Sequence, residues 1–501
     1  MRKLPIFYNA LMLTGVNLLL RFVGTSFQVF VSGRIGAAGV GLLQLVMSVA
    51  SMTMTAGMAG VRTASMYLTA EELGRRRPQN VTWVLSACIG YSFLFSSSVG
   101  ALVYGFAPQI ARFWIGDLQT VGAIRLFAAF LPVSCFSGVM VGYFTAANRI
   151  ATLAAVEVAE QLCSMAVTTV ALLCWAGTDA GRACQAVVLG GCAGSLLTLS
   201  CLALLRLRER PPVGRKIAVG RRLAQTALPL AVADDLKVGI NTVENLMVPK
   251  RLALFTGDAL AQFGMVSGMV FPVIMFPAAI LYGLADLLIP EMARCAASGS
   301  QVRIRYLVRR SLRVAVVYGV ICAGAEYLAA EALCQRLYHN TQVAIYMRPY
   351  ALLLPMLYSD ALIDAMNKGL GRQKTCVKIN IFTALLDVVG LYILLPRWGM
   401  DGYFASFLVS HAVNALLSLA LLLKTSGIRV RLRIGLRTAA AMLTAVCMAD
   451  LLPWAAAKSV AYVLVVISLL WLLNVVRRED AIWLKHLINT EKISQKMKNN
   501  V

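Results

Sequence analysis

The stretch LPVSCFSGVMVGYFTAANR, residues 131–149, has a counterpart further along the chain in LPMLYSDALIDAMNKGLGR, residues 354–372. Leu-Pro opens both, Arg closes both, and the spacing between is identical, an offset of 223. Two further pairs keep nearly the same register. GVGLLQL (39–45) matches GDALAQF (257–263) around Gln44 and Gln262, offset 218, and Gly181 and Gly402 each open an apolar run, offset 221. One pair alone would mean little. Three in register across separate runs argue for a duplicated unit, and an internal repeat decides the fold before any motif does.

The repeat lies in a chain that is apolar from end to end. Of 501 residues 59% are hydrophobic and 14% charged, with mean hydropathy +0.74; soluble domains run nearer 45–50% and about 25%. Runs of about 20 apolar residues, long enough to cross the hydrocarbon, recur fourteen times between residues 5 and 476. The expected fold is therefore an all-α polytopic membrane protein of about 14 transmembrane helices. It divides into an N-terminal six-helix lobe (1–205), a basic cytoplasmic linker (206–222), a C-terminal six-helix lobe (223–424), a basic loop (425–437), two extra helices (438–476) and a basic tail (477–501). Six is even, so the repeats are parallel, with a substrate site expected between them.

Net charge is +24. The basic residues sit in short loops rather than in a basic domain with interleaved aromatics, which excludes a nucleic-acid partner and fits topogenic charge and anionic lipid heads. With the N-terminus inside, 34 Lys and Arg fall in inside segments and 9 outside, the other four being Arg21, Arg62, Arg125 and Lys237 within spans. Both termini are thus expected in the cytoplasm, at the plasma membrane. MRKLPIFYNA reads as the start of the first helix and not as a removed signal. The twelve cysteines form no CxxC or Cys/His ligand spacing and read as small buried side chains, so no metal site is expected.

Ionisable groups inside a bilayer are costly and generally face a bundle interior or a hydrated cavity. On the first helix Asn17, Arg21, Gly24, Thr25 and Gln28 share one stripe; on the second Ser48, Ser51, Thr55 and Arg62 make another. The seventh helix is the most polar, with Asp234, Lys237, Asn241 and Glu244 on one face and Asp235 and Asn245 beside them. Asp286 lies on the eighth, Asp360, Asp364 and Lys368 on the tenth, Asp387 on the eleventh and His411 on the twelfth. Blander readings compete. Lys237 with Asp234 and Glu244 reads equally as an ion-pair network, Asp360, Asp364 and Lys368 as a self-satisfied cytoplasmic end, Arg125 as snorkelling, and Glu157 and Glu160 as caps of the fifth helix. Pro132, Pro229, Pro272, Pro277 and Pro355 place kinks, with Pro229 expected to open the seventh helix.

The 6+6+2 pattern, LLRFVG in the first helix, GRIGAAGVGLLQL leading into the second and the polar seventh helix together resemble the multidrug/oligosaccharidyl-lipid/polysaccharide exporter superfamily. Its stage V sporulation protein B-like branch, related to the lipid II flippases, is the nearest likeness. The resemblance implies a V-shaped, alternating-access carrier of lipid-linked saccharides. It also implies that Arg21, three residues before Gly24, is a cavity arginine, with Arg62 matching a second-helix arginine, and that the last two helices extend a groove for the lipid tail. The chain departs from that pattern where Phe27 or Gln28 replaces a further arginine and Asp286 stands in place of a basic residue.

The expected activity is flipping of a lipid-linked oligosaccharide or peptidoglycan-type precursor by a monomeric transporter with no catalytic residues. Arg21 and Arg62 would hold pyrophosphate, and Asn17, Gln28, Asn241 and Asn245 would bond the sugars. Asp234, Asp235, Lys237, Glu244, Asp286, Asp360 and Asp364 are coupling or ion-pair candidates. No cofactor is expected beyond possible H⁺ or Na⁺ coupling, and no G-x-x-x-x-G-K-[ST] is present. The alternative is a multidrug/cation antiporter in which Asp234, Asp235 and Glu244 bind protons or Na⁺. A membrane-embedded sugar transferase is more distant, for lack of a metal-binding acidic cluster in a sizeable loop.

Overall fold

Backbone amides in lipid must be satisfied within their own segment, so long apolar runs become helices. The computed structural model describes residues 6–177, 179–208, 219–428, 432–452, 455–473 and 475, and every regular element among them is helical. The first two spans form one bent element, α1 (Ile6–Met58), turning at Gly36 (φ 69°, ψ 175°), and α2 (Val61–Gly74) continues the second. The third to sixth spans are α3 (Val81–Gln109), α4 (Val121–Ala146), α5 (Ile150–Ala171) and α6 (Ala180–Arg208); the seventh is α7 (Gly220–Leu252). The eighth is divided among α8 (Ala259–Gly264), α9 (Phe271–Ile274) and α10 (Ala278–Ala297), with Pro277 at the last break. The ninth is α11 (Gln301–Tyr338), and the tenth is interrupted just before Pro355, giving α12 (Gln342–Leu352) and α13 (Leu354–Gly369). Spans eleven and twelve run together as α14 (Gln373–Ser426), bent at Gly399, and α15 (Leu432–Asp450) and α16 (Ala455–Leu472) complete the chain. Each expected span has its helix, and the all-helical multi-pass fold holds.

One local expectation needs correcting. Pro229 does not open the seventh helix: α7 begins at Gly220, and its first turns are anchored because Val219, Leu223 and Ala227 join a buried cluster with Val61, Leu68, Val84 and Phe144. Most of the basic linker (209–218) and the basic tail lie outside the described residues.

The helices pack as two compact units, one of Met1–Ala279 with Asn380–Ser410 and the other of Ile280–Ile379 with His411–Val501. The division cuts across the repeat, since α7 to α9 and the middle of α14 pack with α1 to α6.

The repeat itself is visible in backbone detail. After α4, Ala147 N–H donates to Tyr143 O, Asn148 N–H to Thr145 O and Arg149 N–H to Phe144 O, at 2.9–3.0 Å. After α13, Leu370, Gly371 and Arg372 donate to Met366, Lys368 and Asn367 at 3.0 Å, each bond displaced by 223 residues. Asn148 (φ 57°) and Gly371 (φ 77°) take the same left-handed position, which Asn and Gly tolerate best. A second pair is Gly177 (φ 55°, ψ −123°) and Gly399 (φ 56°, ψ −132°), in a region that only glycine enters cheaply. The Leu-Pro motifs are also packed alike. An ideal Cβ on Gly100 of α3 would sit 2.8 Å from Ala128 O, the carbonyl four residues before Pro132 that lacks its helical donor. One on Gly319 of α11 would sit 2.6 Å from the α-carbon of Pro355.

Within the second unit, α11 is held on two sides. Gly319 abuts α13, while Gly324 leaves the space that the ring of Tyr462 on α16 occupies, and the Tyr462 hydroxyl donates to Val320 O at 2.6 Å.

Candidate substrate and coupling sites

The first unit brings both arms of α1 against α7 and α8. Gly41 and Gly264 meet backbone to backbone, leaving no room for a Cβ on either, and the Gln28 amide donates to Gly268 O at 3.1 Å. Asn245 Nδ2 donates to Ser48 Oγ at 3.0 Å, and Thr242 Oγ1 to Ser48 O at 3.2 Å. The amide N–H groups of Gln28 and Asn245 therefore join helices in this structure. The side chain of Asn17 lies outside the described residues.

A polar cluster gathers around α5. Gln161 Nε2 donates to Leu20 O at 2.9 Å, next to Gly24, and so ties α5 to the turn of α1 that carries Arg21. Glu160 accepts from Thr198 Oγ1 of α6 at 2.7 Å, and Glu157 lies within electrostatic reach of Arg62. The capping role expected for these acids is not what they do. α5 starts at Ile150 and has no acid in its first turn, so both face neighbouring helices from its middle. Arg21 and Arg62 are both exposed. Arg125 stacks over Tyr104 with its Cζ 5.3 Å from the ring centroid.

On α7, Asp234, Lys237 and Asn241 form an exposed stripe at helical spacing, with Asp235 beside it carrying a buried, unbonded Oδ1. The expected ion-pair network is not formed. Among the described residues no ion pair joins Lys237 to Asp234 or Glu244, because Glu244 points instead to Asp387 of α14 and shares a side-chain hydrogen bond with it. Asp387, 5% exposed, also accepts from Ser406 Oγ at 2.6 Å, and the buried Tyr403 lies beside the pair.

In the second unit Asp286 is exposed on α10, Asp364 pairs with Lys368 at 2.5 Å as a local (i, i+4) bridge, and Asp360 accepts from Asn414 Nδ2 at 2.9 Å. Sequence reasoning named Glu244 as a coupling candidate but not its partners, because they lie far along the chain. It also passed over Glu71 and Glu72. Arg222 at the start of α7 bonds both, at 2.6 and 3.1 Å, and Glu72 is 1% exposed.

Comparison with known proteins assigns the chain to one family. Residues 72–474 match the family described as lipid II flippase MurJ. Stage V sporulation protein B of Bacillus subtilis (strain 168) is 21% identical over 447 residues, covering 86% of each chain. Among solved structures, a lipid II flippase MurJ in an inward closed conformation superposes with TM-score 0.68 at 12% identity, over 95% of this chain and 100% of that one. An inward-facing multidrug resistance MATE family transporter of the MOP superfamily gives 0.70 at 12% identity, over 83% and 98%. These likenesses carry the fold, and the family match carries the class: the chain belongs to the lipid II flippase MurJ family and is a multi-pass flippase-type membrane transporter.

Proposed function

We propose that this protein moves a lipid-linked saccharide, of the oligosaccharide or peptidoglycan-precursor kind, from the cytoplasmic to the outer face of the plasma membrane. The observation that carries the reading is the family match over residues 72–474. The exposed arginines inside spans support it, since Arg21 and Arg62 present guanidinium groups suited to bidentate bonding of phosphate oxygens. Asn241, exposed on α7, is the amide best placed among the described candidates to bond sugar. Two six-helix repeats, 1–205 and 223–424, joined by the basic linker, would alternate access to these groups, with both termini cytoplasmic as the 34-to-9 charge asymmetry favours. Anionic lipid heads would meet the basic loops, and the protein would act as a monomer.

An inside-negative potential favours outward movement of an anion by about 2.3 kcal/mol per charge per 100 mV. Reset of the carrier would draw on H⁺ or Na⁺ bound between Glu244 and Asp387. The test is flipping of defined polyprenyl-pyrophosphate-linked sugars in proteoliposomes, run beside drug-for-cation exchange in the same vesicles. Flipping by the wild type, strongly slowed in Arg21→Ala, is the expected result. Drug exchange without flipping would overturn it and establish the antiporter instead.

A further inference from the structure

The second unit buries an acid for which the transport reading has no use. Glu326 lies on α11, and 8% of its surface is exposed. Its Oε2 has no hydrogen-bond partner, and no charged group among the described residues reaches it. Tyr318, Cys322 and Glu326 recur every four residues on one face of α11, and Tyr318 bonds the Cys322 side chain. Across the seam, the Tyr358 ring of α13 stacks on Tyr318 with centroids 5.9 Å apart, and Tyr282 of α10 lies within the same electrostatic neighbourhood.

The charges on the surrounding elements are occupied elsewhere. Arg348 of α12 pairs with Glu331 at 3.2 Å, and Lys458 of α16 pairs with Asp450 of α15 at 2.6 Å. Tyr462 of α16 gives its hydroxyl to Val320 O on another face of α11. An ionised carboxylate without a partner in such a buried site is strongly disfavoured, whereas the neutral acid is tolerated far better. The seam is also tight, because Gly319 sits against Pro355 with no room for a Cβ. Tyr358 of α13 lies within electrostatic reach of Glu326, so hydration of a Glu326 anion requires α11 and α13 to part.

We propose that Glu326 is a proton-binding site, seated as the neutral acid in the closed α11–α13 seam and giving up its proton when that seam admits water. The site is separate from the Glu244–Asp387 pair, which lies in the other unit. Intramembrane acids that change their protonation in this way typically mark proton-linked steps.

Infrared spectra of the purified full-length protein in lipid nanodiscs, titrated from acid to alkaline pH, test this without any substrate, so the outcome is independent of what is flipped. The expected result is a carboxylic C=O band of the non-hydrogen-bonded type at neutral pH. It should be absent in Glu326→Gln, shifted in Glu326→Asp, and replaced by carboxylate bands as the wild type is made alkaline. A spectrum unchanged by Glu326→Gln, or a band that no pH removes, overturns the proposal. Should Glu326→Gln fail to fold, the wild-type titration decides alone, and lack of such a band even in acid overturns it.

Discussion

At the level of single residues, the transport reading rests on two cations and one pair of acids. If Arg21 grips phosphate by charge-assisted hydrogen bonds worth roughly 1.5–3 kcal/mol, Arg21→Ala should slow flipping by about tenfold or more. Arg21→Lys should recover only part of the rate, because an ammonium cannot make the planar two-point contact. Proteoliposome flipping rates measure both. For the acid pair, Asp387→Asn should remove the dependence of transport on H⁺ or Na⁺ while leaving downhill exchange of substrate, measured as counterflow, close to the wild-type rate. The sequence showed Arg21, Arg62 and Glu244 as misfits in apolar runs. It could not show that Glu244 bonds Asp387, a residue 143 positions away. Nor could it show that the N–H groups of Gln28 and Asn245 are engaged between helices. A stripe on one helix identifies the polar face, but the neighbour that meets it is settled only by packing.

For elements, legibility follows from which signals are local. Apolar length fixed the helices, and the Leu-Pro repeat announced a turn whose three hydrogen bonds recur at an offset of 223. Helix ends were less legible. Pro229 suggested a start for α7, but the apolar residues before it extend the helix to Gly220. That extension creates a clasp in which the Arg222 and Glu72 side chains are 36% and 2% exposed. Taking away one partner of a buried pair typically costs about 3–5 kcal/mol; here Arg75 and Asn80 remain as partial substitutes. Arg222→Ala should therefore lower the thermal midpoint of the detergent-solubilised protein more than Arg75→Ala does, since Arg75 is half exposed. Light-scattering-detected unfolding would show the order. Gly264→Val is the companion test of α1 against α8: the added carbons would run into the Ala37 carbonyl, and a marked loss of folded yield is expected.

For the molecule as a whole, charge decides sidedness and packing decides grouping. The 34-to-9 asymmetry predicts that cysteines placed at Asn148 and Gly371 in a cysteine-free background react with an impermeant maleimide from the cytoplasmic face. Labelling of one of them only from the opposite face would disprove parallel repeats. Grouping by packing was not legible beforehand, because α7 to α9 belong by sequence to one repeat and by packing to the other's neighbours. The last two helices looked like an appendage, yet Tyr462 is wholly buried against α11 and fills the notch left by Gly324. Cutting a buried aromatic back to Ala usually costs about 3–5 kcal/mol. A nonsense mutation between codons 451 and 462 would thus behave as a null allele while sparing every proposed substrate and ion ligand. One that falls after codon 475 spares α16 and should leave a protein that still accumulates.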